Sequence, residues 1–376
     1  MAEPVRIFVG AGELSGDHLG ADLVRRLRRR VGLDLSGIGG PELSEEGLHS
    51  LFPMSDLAVM GIVDVAARFP LLWWRVRQTV NSIMHGRPDV VVLIDSQVFS
   101  ATVAKRVRKA GYRGPVLLYV APSVWAFRPQ RARIIRNYFD EILAIYHFEP
   151  QILRDLGGPT TTYVGHPALE RSAIRPRVPE RGPLLLLPGS RAGELRRHLP
   201  LMAEIAKAFV AHPRVSELVL PTPTSELAHV EGVTSRWTAP VRVVSDTVAK
   251  KAAFAEAIAA AATAGTVTLE LALAGVPMAV TYVSDRPQYR RWLSIDRPFT
   301  ALPNILARRR VVPDGVVTSA DPKTMIAEIR RLLEDRATAS EQVRQFVELA
   351  KLMSSNVTDP AERVLAHLPQ RLLSGT

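Results

Sequence analysis

The sequence predicts an α/β protein with two doubly wound, parallel-sheet domains. Short apolar runs of the kind that form buried parallel strands alternate with helical patterns along most of the 376 residues. A Pro- and Arg-rich stretch at 174–183 breaks this alternation, and such a composition is typical of an exposed linker. The length also exceeds what one hydrophobic core usually supports. We therefore predict a first domain over 1–173 and a second domain that begins at 184.

The first half contains six predicted strands. The runs are short and almost wholly apolar, and helical patterns such as 17–30 and 99–109 fall between them. Helices that link parallel strands cover both faces of the sheet, so such strands lack the polar alternation of a half-exposed sheet. The predicted strands are 6–11, 33–38, 90–94, 116–120, 141–145 and 162–164.

The alternation resumes after the linker and gives way to helices. Apolar residues at three- and four-residue spacing predict that the end of the chain is helical. The predicted strands of this half are 184–187, 217–220, 241–244, 257–261 and 278–282, and the final helical patterns are 322–335, 340–352 and 359–368.

The composition excludes several classes of protein. An apolar fraction of 47% with 23% charged residues indicates a globular chain. No run of about 18 uncharged apolar residues is present, so no membrane-spanning helix is predicted. The first strand begins at once, which leaves no room for a signal peptide. The absence of Cys excludes disulfides and thiolate metal sites and fits a cytoplasmic location.

The net charge of +11 indicates either an anionic partner or an arginine-rich solvated surface. Nucleic acid, an anionic membrane face and phosphate-bearing substrates would each account for it. The sequence has no zinc-finger, RNA-recognition or helix-turn-helix signature. We therefore discount nucleic acid and retain a membrane surface and a phosphate-bearing substrate.

The first strand ends in a glycine-rich turn that suits an anion or a sugar hydroxyl. In a dinucleotide fingerprint the third glycine would stand where Ser15 is, and no acidic residue closes the second strand. A nicotinamide enzyme is therefore disfavoured. The turn still offers backbone N–H groups at a helix start, with Gly16 beside a cap at Ser15 or Asp17. The alternative is a tight strand-to-helix turn that binds nothing.

Polar and aromatic side chains follow the fourth strand. The string 119–128 runs from a buried strand into Ser123, Trp125 and Arg128. The carboxyl ends of parallel strands are where α/β proteins bind ligands. The string therefore indicates a binding site, and its alternative is a core strand followed by a proline turn and an ordinary helix start.

The second domain has two turns that suit phosphate. Gly189, Ser190 and Arg191 close a strand and open a helix, and Gly265 and Thr266 open another helix. Helix N-termini favour anions, and Arg binds phosphate through paired N–H bonds. A diphosphate is the ligand that these groups fit.

Seven segments, spread in order over roughly residues 5–310, together resemble the lipid-A-disaccharide synthases. Each segment alone is a weak signal, but the ordered set is specific. Members of this family are glycosyltransferases that build the disaccharide core of the bacterial outer-membrane lipid. The segments are 11–17, 60–65, 119–128, 164–167, 187–191, 264–270 and 302–304.

The resemblance implies the GT-B fold, in which two Rossmann-like domains face a crevice. It implies that C-terminal helices at about 340–376 pack back on the first domain, which leaves 184–339 as the donor domain. Glu270 would contact the sugar or ribose of a UDP-sugar, and Asn304 is a further donor-side match. Without the resemblance, Glu270 would be interpreted as a surface charge and Asn304 as a turn residue. The resemblance implies no cofactor and no metal ion, which fits the absence of an Asp-x-Asp motif.

Asp95 is the predicted catalytic base. It follows the buried strand 90–94 and matches the first Asp of the family's Ile-Asp-x-x-x-Phe string. An inverting transfer requires a base that takes the proton of the acceptor hydroxyl. Glu13, near the same sheet edge, is the second candidate, and His166 is either a substrate contact or a hinge histidine. The alternative for Asp95 is a helix N-cap.

Val98 departs from the family pattern. Relatives usually read Asp-x-Pro-Asp-Phe where residues 95–99 of this chain read Asp-Ser-Gln-Val-Phe. If the second Asp tunes or orients the base, this chain would be slow, specialised or inactive, whereas a structural Asp would be lost at little cost. A non-catalytic relative that binds nucleotide or lipid is therefore one alternative function. A UDP-sugar epimerase of the same fold is another.

Residues 68–77 predict a helix at a membrane surface. Leu72, Trp73, Trp74 and Arg75 combine apolar, aromatic and cationic side chains as interfacial helices do. Two adjacent Trp cannot share one narrow helix stripe, so at least one of them should be partly exposed. The alternative is a crossover helix buried against the sheet.

Together these patterns predict an inverting, metal-independent glycosyltransferase, peripheral on the anionic inner face of the cytoplasmic membrane. The resemblance implies that UDP-2,3-diacylglucosamine is joined to 2,3-diacylglucosamine 1-phosphate with release of UDP. The sequence leaves open whether the chain forms a homodimer. The predicted acceptor contacts are Ser15, Gly16, Ser123, Trp125, Arg128 and His166, and the predicted UDP contacts are Gly189, Ser190, Arg191, Gly265, Thr266, Glu270 and Asn304.

Overall fold

The computed structural model describes residues 3–57, 62–126, 128–170, 174–294, 299–319 and 321–372. It divides into two compact units. The first consists of residues 1–167 and 356–376, and the second of residues 168–355. In the described parts of the chain, no helix has both the length and the apolar character needed to cross a bilayer.

The first unit contains a six-stranded sheet in which all neighbouring strands are parallel, in the order β2-β1-β3-β4-β5-β6. Its strands are β1 (Val5–Ala11), β2 (Leu33–Ile38), β3 (Val90–Ile94), β4 (Val116–Tyr119), β5 (Glu141–Ala144) and β6 (Thr160–Tyr163). Its helices are α1 (Leu14–Arg28), α2 (Pro41–Glu45), α3 (Ile62–Gly86), α4 (Gln97–Lys109), α5 (Arg131–Ile135), α6 (Glu149–Asp155) and, after the second unit, α16 (Pro360–Leu365); α7 (Pro167–Glu170) crosses the boundary.

The second unit repeats this architecture with the strand order β12-β11-β10-β7-β8-β9. Its strands are β7 (Gly182–Leu187), β8 (Val215–Pro221), β9 (Arg242–Val244), β10 (Ala259–Thr263), β11 (Met278–Val283) and β12 (Val316–Val317). Its helices are α8 (Ala192–Phe209), α9 (Leu227–Thr234), α10 (Thr247–Glu256), α11 (Thr266–Leu273), α12 (Arg286–Leu293), α13 (Leu302–Ala307), α14 (Pro322–Glu334) and α15 (Arg336–Ser354).

Both sheets are buried on both faces, which explains their unbroken apolar strands. In β3, Val90 and Val92 belong to one core of the first unit, and Val91 and Leu93 belong to the core on the opposite face. Successive side chains of a strand point to opposite faces, so a strand covered on both sides must be apolar at every position. The predicted class, two doubly wound parallel sheets, is confirmed.

The linker and the C-terminal helices differ from prediction. Arg175 is not in an exposed linker, because its guanidinium donates to the carbonyls of Gly275, Ala255 and Ala257. Helix α15 belongs to the second unit, although 340–376 was expected to complete the first. Gln342 of α15 bonds both the N–H and the carbonyl of Met278 at the start of β11. That buried pairing holds α15 to the second sheet, and only residues 356–376 return to the first.

The C-terminal segment is held to the first unit by a buried carboxylate. Glu141 of β5 is fully buried and accepts two hydrogen bonds of 3.0 Å from the guanidinium of Arg363. His367 Nε2 lies 2.7 Å from the same carboxylate, and the hydroxyl of Thr162 donates to it at 2.5 Å. Burial alone would raise the pKa of Glu141, but these hydrogen bonds outweigh it and lower that pKa to about 2.

Arg363→Met should lower the free energy of unfolding by about 3 kcal/mol, because it leaves the buried Glu141 charge short of its main partner. Denaturation in urea at neutral pH measures this change. The matched control is Arg344→Gln, which removes an exposed ion pair with Glu341 and should alter stability little. Equal effects of the two substitutions would contradict a dominant role for the buried pair.

The same pair predicts a pH dependence. The pKa of Glu141 is lowered from 4.5 to about 2, so its contribution to stability is present above 4.5 and is lost as the pH falls towards 2. The stability difference between wild type and Arg363→Met should therefore shrink across that interval.

Candidate functional site

The carboxyl ends of four strands in the first unit carry the predicted catalytic and acceptor residues. The strand order places the ends of β1, β3, β4, β5 and β6 side by side. Glu13 follows β1, Asp95 follows β3, Ser123 follows β4 and His166 follows β6. The structure thus brings these residues to one sheet edge, as ligand-binding α/β folds do.

The backbone at this edge is strained. Asp95, Ser96, Val120 and Arg128 have φ angles of 49°, 42°, 77° and 51°. They are four of the seven non-glycine residues in the left-handed region that the described part of the chain contains. Such conformations cost about 1–3 kcal/mol each and cluster at functional sites, where surrounding contacts enforce them. Here the N–H of Asp95 donates to Tyr119 O at 2.9 Å, and Val120 N–H donates to Leu143 O at 2.9 Å.

Asp95 is suited to act as a base. It is half-buried, and burial raises the pKa of its carboxyl, with the negative charge of Glu13 adding to the rise. A general base works best when its pKa lies near the operating pH, so a raised carboxyl pKa favours this role. The alternative of a helix N-cap is wrong, because Ser96 occupies the N-cap position of α4.

The glycine-rich turn after β1 is packed against the turn after β3. A Cβ on Gly12 would lie 2.2 Å from Ser96 Oγ, so only glycine allows the two turns to approach this closely. Glu13 is exposed at the N-cap of α1 and makes no side-chain cap hydrogen bond. Ser15 is exposed as well, whereas Gly16 is buried.

The predicted caps of α1 are wrong. Asp17 is buried, and its carboxylate accepts from the N–H groups of Gly40 at 2.7 Å and Glu42 at 2.9 Å, and of Leu43 at 3.2 Å. These are the free donors at the start of α2. Asp17 therefore caps the neighbouring helix α2 and leaves the start of α1 without a side-chain acceptor.

An aromatic cluster, of which only Trp125 and His166 were predicted, joins two of the acceptor residues. Trp125 packs edge-on to Phe148 at 5.4 Å, and Tyr146 stacks on Phe148 at 5.9 Å and on His166 at 5.8 Å. Tyr146 and Phe148 follow β5, so the rule that ligands bind at strand ends could have identified them. Arg128 is exposed and Ser123 half-buried, whereas Phe127 and residues 60–61 of the 60–65 segment lie outside the described residues.

The second unit contains a cavity of about 660 Å³ at the carboxyl ends of β7, β8 and β10. Most of the predicted UDP contacts line it, and so do Glu194, Thr222, Lys250 and Tyr282, which were not predicted. The predicted residues that line it are Gly189, Ser190, Arg191, Gly265, Thr266 and Glu270.

One of the two predicted phosphate turns is already occupied by the chain itself. Glu194 Oε2 accepts from the N–H groups of Ser190 at 3.1 Å and Arg191 at 3.3 Å. These N–H groups are therefore not free for a phosphate, contrary to the prediction. The Arg191 side chain remains 60% exposed. The N-cap of α11 is Gly265, so this helix start has no capping side chain of its own.

Further polar groups face this cavity from other elements. Lys250 Nζ of α10 lies 2.6 Å from Glu270 Oε2 of α11. The hydroxyls of Thr222 and Thr263 are buried and have no hydrogen-bond partner within the described residues. A buried hydroxyl without a partner costs free energy, so its presence in a cavity wall indicates a polar ligand. No sequence motif marks Lys250, Thr222 or Thr263.

The prediction that Asn304 contacts UDP is not supported by its position. It is fully buried and does not line the cavity. Its Oδ1 accepts from the N–H groups of Val311 at 2.7 Å and Val312 at 2.9 Å, and its Nδ2 donates to Val312 O at 2.9 Å. The amide therefore fixes the backbone after α13 and has no group left to face a nucleotide.

The tryptophans of α3 lie on the surface. Trp73 and Trp74 are 44% and 51% exposed, which confirms the expectation that at least one is exposed and contradicts the buried alternative. Leu72 packs on the core beneath. Arg75 lies 4.4 Å from the Trp74 ring centroid and 2.6 Å from the Asp56 carboxylate, so it holds that indole in place.

A family model of lipid-A-disaccharide synthetase matches residues 7–365. The chain belongs to this family. Lipid-A-disaccharide synthase of Nitrobacter hamburgensis is 37% identical over 371 residues, covering 95% of this chain and 93% of the relative. That of Nitrobacter winogradskyi is 40% identical over 376 residues, covering 96% and 94%. The resemblance drawn from the seven segments is confirmed.

Solved structures share the architecture of the family. The crystal structure of the glycotransferase of kitacinnamycin aligns with a TM-score of 0.64 at 17% identity, over 98% of this chain and all of that one. At this identity the likeness shows the fold alone. The GT-B class predicted for the two sheets is confirmed.

Asn304→Ala should lower the free energy of unfolding by about 3 kcal/mol or more, because it leaves buried N–H and carbonyl groups unpaired at about 1–3 kcal/mol each. Urea denaturation measures the loss, with the exposed Asn81→Ala as control. Below the unfolding transition, the variant should bind UDP as wild type does. Unchanged stability with lost UDP binding would instead make Asn304 a donor contact.

Proposed function

We propose that the chain transfers 2,3-diacylglucosamine from UDP to the 6-hydroxyl of 2,3-diacylglucosamine 1-phosphate. The product is the β(1→6) disaccharide of lipid A, with UDP as leaving group. The observation that carries this proposal is the half-buried Asp95, with its raised pKa, at the ligand-binding edge of the first sheet in a member of this family.

In the proposed reaction Asp95 takes the proton of the acceptor 6-hydroxyl. The hydroxyl oxygen forms the new bond to the anomeric carbon of the donor. The bond from that carbon to the diphosphate oxygen breaks, and UDP leaves with the bonding electron pair. Attack opposite the leaving group inverts the anomeric configuration, as a single displacement with a general base requires. The charge of Glu13 supports Asp95 by raising its pKa.

The acceptor is assigned to the polar and aromatic groups at the same edge. Ser123 and His166 are half-buried, and Trp125 and the exposed Arg128 lie on the loop after β4. Arg128 is suited to the 1-phosphate, because a guanidinium forms paired bonds to phosphate. Ser15 offers a hydroxyl from the first turn of α1.

The UDP donor is assigned to the cavity of the second unit. Its volume of about 660 Å³ lies in the range of small-molecule sites. Arg191 and the uncapped start of α11 supply donors for the diphosphate, and Glu270 supplies a carboxylate for ribose or sugar hydroxyls. A guanidinium and N–H groups are suited to phosphate rather than to a metal ion, so we assign leaving-group stabilisation to them.

The membrane contact is assigned to α3. Two exposed tryptophans beside cationic side chains suit the headgroup region, and the net charge of +11 favours an anionic leaflet. Substrates with acyl chains reside in such a leaflet. The chain would therefore work as a peripheral protein on the cytoplasmic face of the inner membrane.

Val98 does not favour the non-catalytic alternative. Its side chain is 70% exposed in the first turn of α4. The Asp that relatives carry at this position would therefore be exposed too, and its replacement by Val leaves no buried group without a partner. The family match likewise favours glycosyl transfer over an epimerase.

Asp95→Asn should reduce the transfer rate by roughly 10²–10⁴-fold, because the acceptor proton loses its base. The UDP released from UDP-2,3-diacylglucosamine in the presence of the acceptor measures transfer, and calorimetry should find UDP affinity unchanged. Asp34→Asn, an exposed carboxylate on β2, is the control and should behave as wild type. A rate for Asp95→Asn within a few-fold of wild type would remove Asp95 from the mechanism.

Replacement of Trp73 and Trp74 with Ser should reduce sedimentation with anionic vesicles while the melting temperature changes little, since both side chains are largely exposed. Leu352→Ser, with 43% exposure in the second unit, is the matched control and should bind vesicles as wild type does. Retained vesicle binding by the double variant would place the membrane contact elsewhere.

A further inference from the structure

A buried carboxyl at the start of α6 has no role in the reaction described above. Glu149 is 2% exposed. Its Oε1 accepts from the Trp125 indole N–H at 3.2 Å, and its Oε2 accepts from the backbone N–H of Tyr146 at 3.2 Å. Both donors are neutral, whereas a buried ionised carboxylate ordinarily needs a cation. Burial outweighs these hydrogen bonds, which by themselves favour the ionised form, and raises the pKa of the carboxyl.

Glu149 connects two turns that the strands alone do not fix. Trp125 lies on the loop after β4, and Tyr146 lies in the turn between β5 and α6. The loop after β4 lies next to the turn that carries Asp95, and the turn after β5 lies next to that loop. The charge of Asp95 still reaches Tyr146, where it adds to the effect of burial in raising the pKa of the phenol. The loop after β4 begins at Val120, whose φ of 77° is unfavourable for a β-branched residue. Contacts from outside that loop must therefore hold it.

The rings around Glu149 pass this constraint to the acceptor residues. Phe148 contacts Trp125 edge-on and stacks on Tyr146, which in turn stacks on His166. A shift of the Glu149 carboxyl would therefore move the indole, the phenol and the imidazole together. Packed aromatic groups transmit such shifts because interiors are close to crystal density.

We propose that Glu149 is the positioning residue of the acceptor site, with its carboxyl fixing Trp125 and Tyr146 beside the turn of Asp95. The inference rests on the proposed function in one respect, namely that these aromatic groups contact the acceptor sugar. It adds a residue that supplies neither a proton nor a substrate contact and acts through Trp125 and Tyr146.

The electrostatic surroundings give this residue a pH dependence. Burial raises the pKa of Glu149 to about 8, and the charges of Glu149 and Asp95 raise the pKa of Tyr146 after burial, its main cause. Burial and then the charge of Glu149 raise the pKa of Tyr163 of β6. His147 packs on Phe148 and Tyr163. Because the pKa of Glu149 is raised in the folded state, its neutral form stabilises the cluster. This stability is fully present below pH 4.5 and is lost as the pH rises from 4.5 to about 8, where the folded protein ionises. Ionised Glu149 then favours hydration and loosens the two turns.

The test compares Glu149→Gln, Trp125→Phe and the double variant. The amide keeps the shape of the carboxyl but turns one of its two acceptors into a donor, and Phe removes the indole N–H. Each single variant should weaken calorimetric binding of 2,3-diacylglucosamine 1-phosphate and lower its kcat/KM by roughly 10- to 100-fold, as expected for misplaced substrate contacts. Because both break the same bond, the double variant should be no worse than the poorer single variant.

Two further measurements separate positioning from general damage. UDP affinity, which belongs to the second unit, should stay within about two-fold of wild type, since the substitutions leave its cavity untouched. The loss of activity of the wild type above pH 8 should be absent in Glu149→Gln, whose amide does not ionise. Asp155→Asn, an exposed residue of the same helix, is the control and should match wild type in every assay.

Two results would overturn the proposal. One is additive effects of the two substitutions. The other is a Glu149→Gln variant whose acceptor affinity and pH profile both equal those of wild type. If Glu149→Gln does not fold, Trp125→Phe decides, because acceptor affinity unchanged in that variant also overturns it. A wild type that binds the acceptor but makes no disaccharide would refute the proposed function, while the binding data would still decide the role of Glu149.

Discussion

The burial of both faces of each parallel sheet is the constraint on which the site depends. Helices cover the two faces, so the sheet meets solvent mainly at its edges and at the ends of its strands. Parallel direction places every carboxyl end on one side, where the chain turns into helices. Polar groups can stand there without entering the core. Asp95, the aromatic cluster and the cavity of the second unit all occupy such positions.

The polar groups at these ends differ in how they are stabilised. Asp17 and Glu194 are satisfied by backbone N–H groups, which makes them parts of the scaffold. Asp95 is held on a strained backbone, and burial makes its ionised form less stable than in water. Such a group gains from taking up a proton, as a general base must.

Sequence patterns predicted the strands well because burial on both faces imposes an unbroken apolar run. The prediction for 90–94 coincides with β3, and the segment order identified the family. Hydrogen-bond partners were predicted less well, since a carboxylate at a turn can bond its own helix or the next one. Asp17, Glu194 and Asn304 show that only the tertiary arrangement selects the partner. Lys250 stands in a helix without a motif and was missed for the same reason.

The division of the chain has a consequence for its biosynthesis. The second unit is one continuous stretch, whereas the first needs residues 356–376, which are synthesised after the second unit. Until they emerge, the carboxylate of Glu141 lacks Arg363 and His367, and the nascent first sheet holds an unpaired charge in its interior. Domains usually complete their folding in the order of synthesis. In this chain the order is reversed, and the unit that carries Asp95 completes its fold after the second unit.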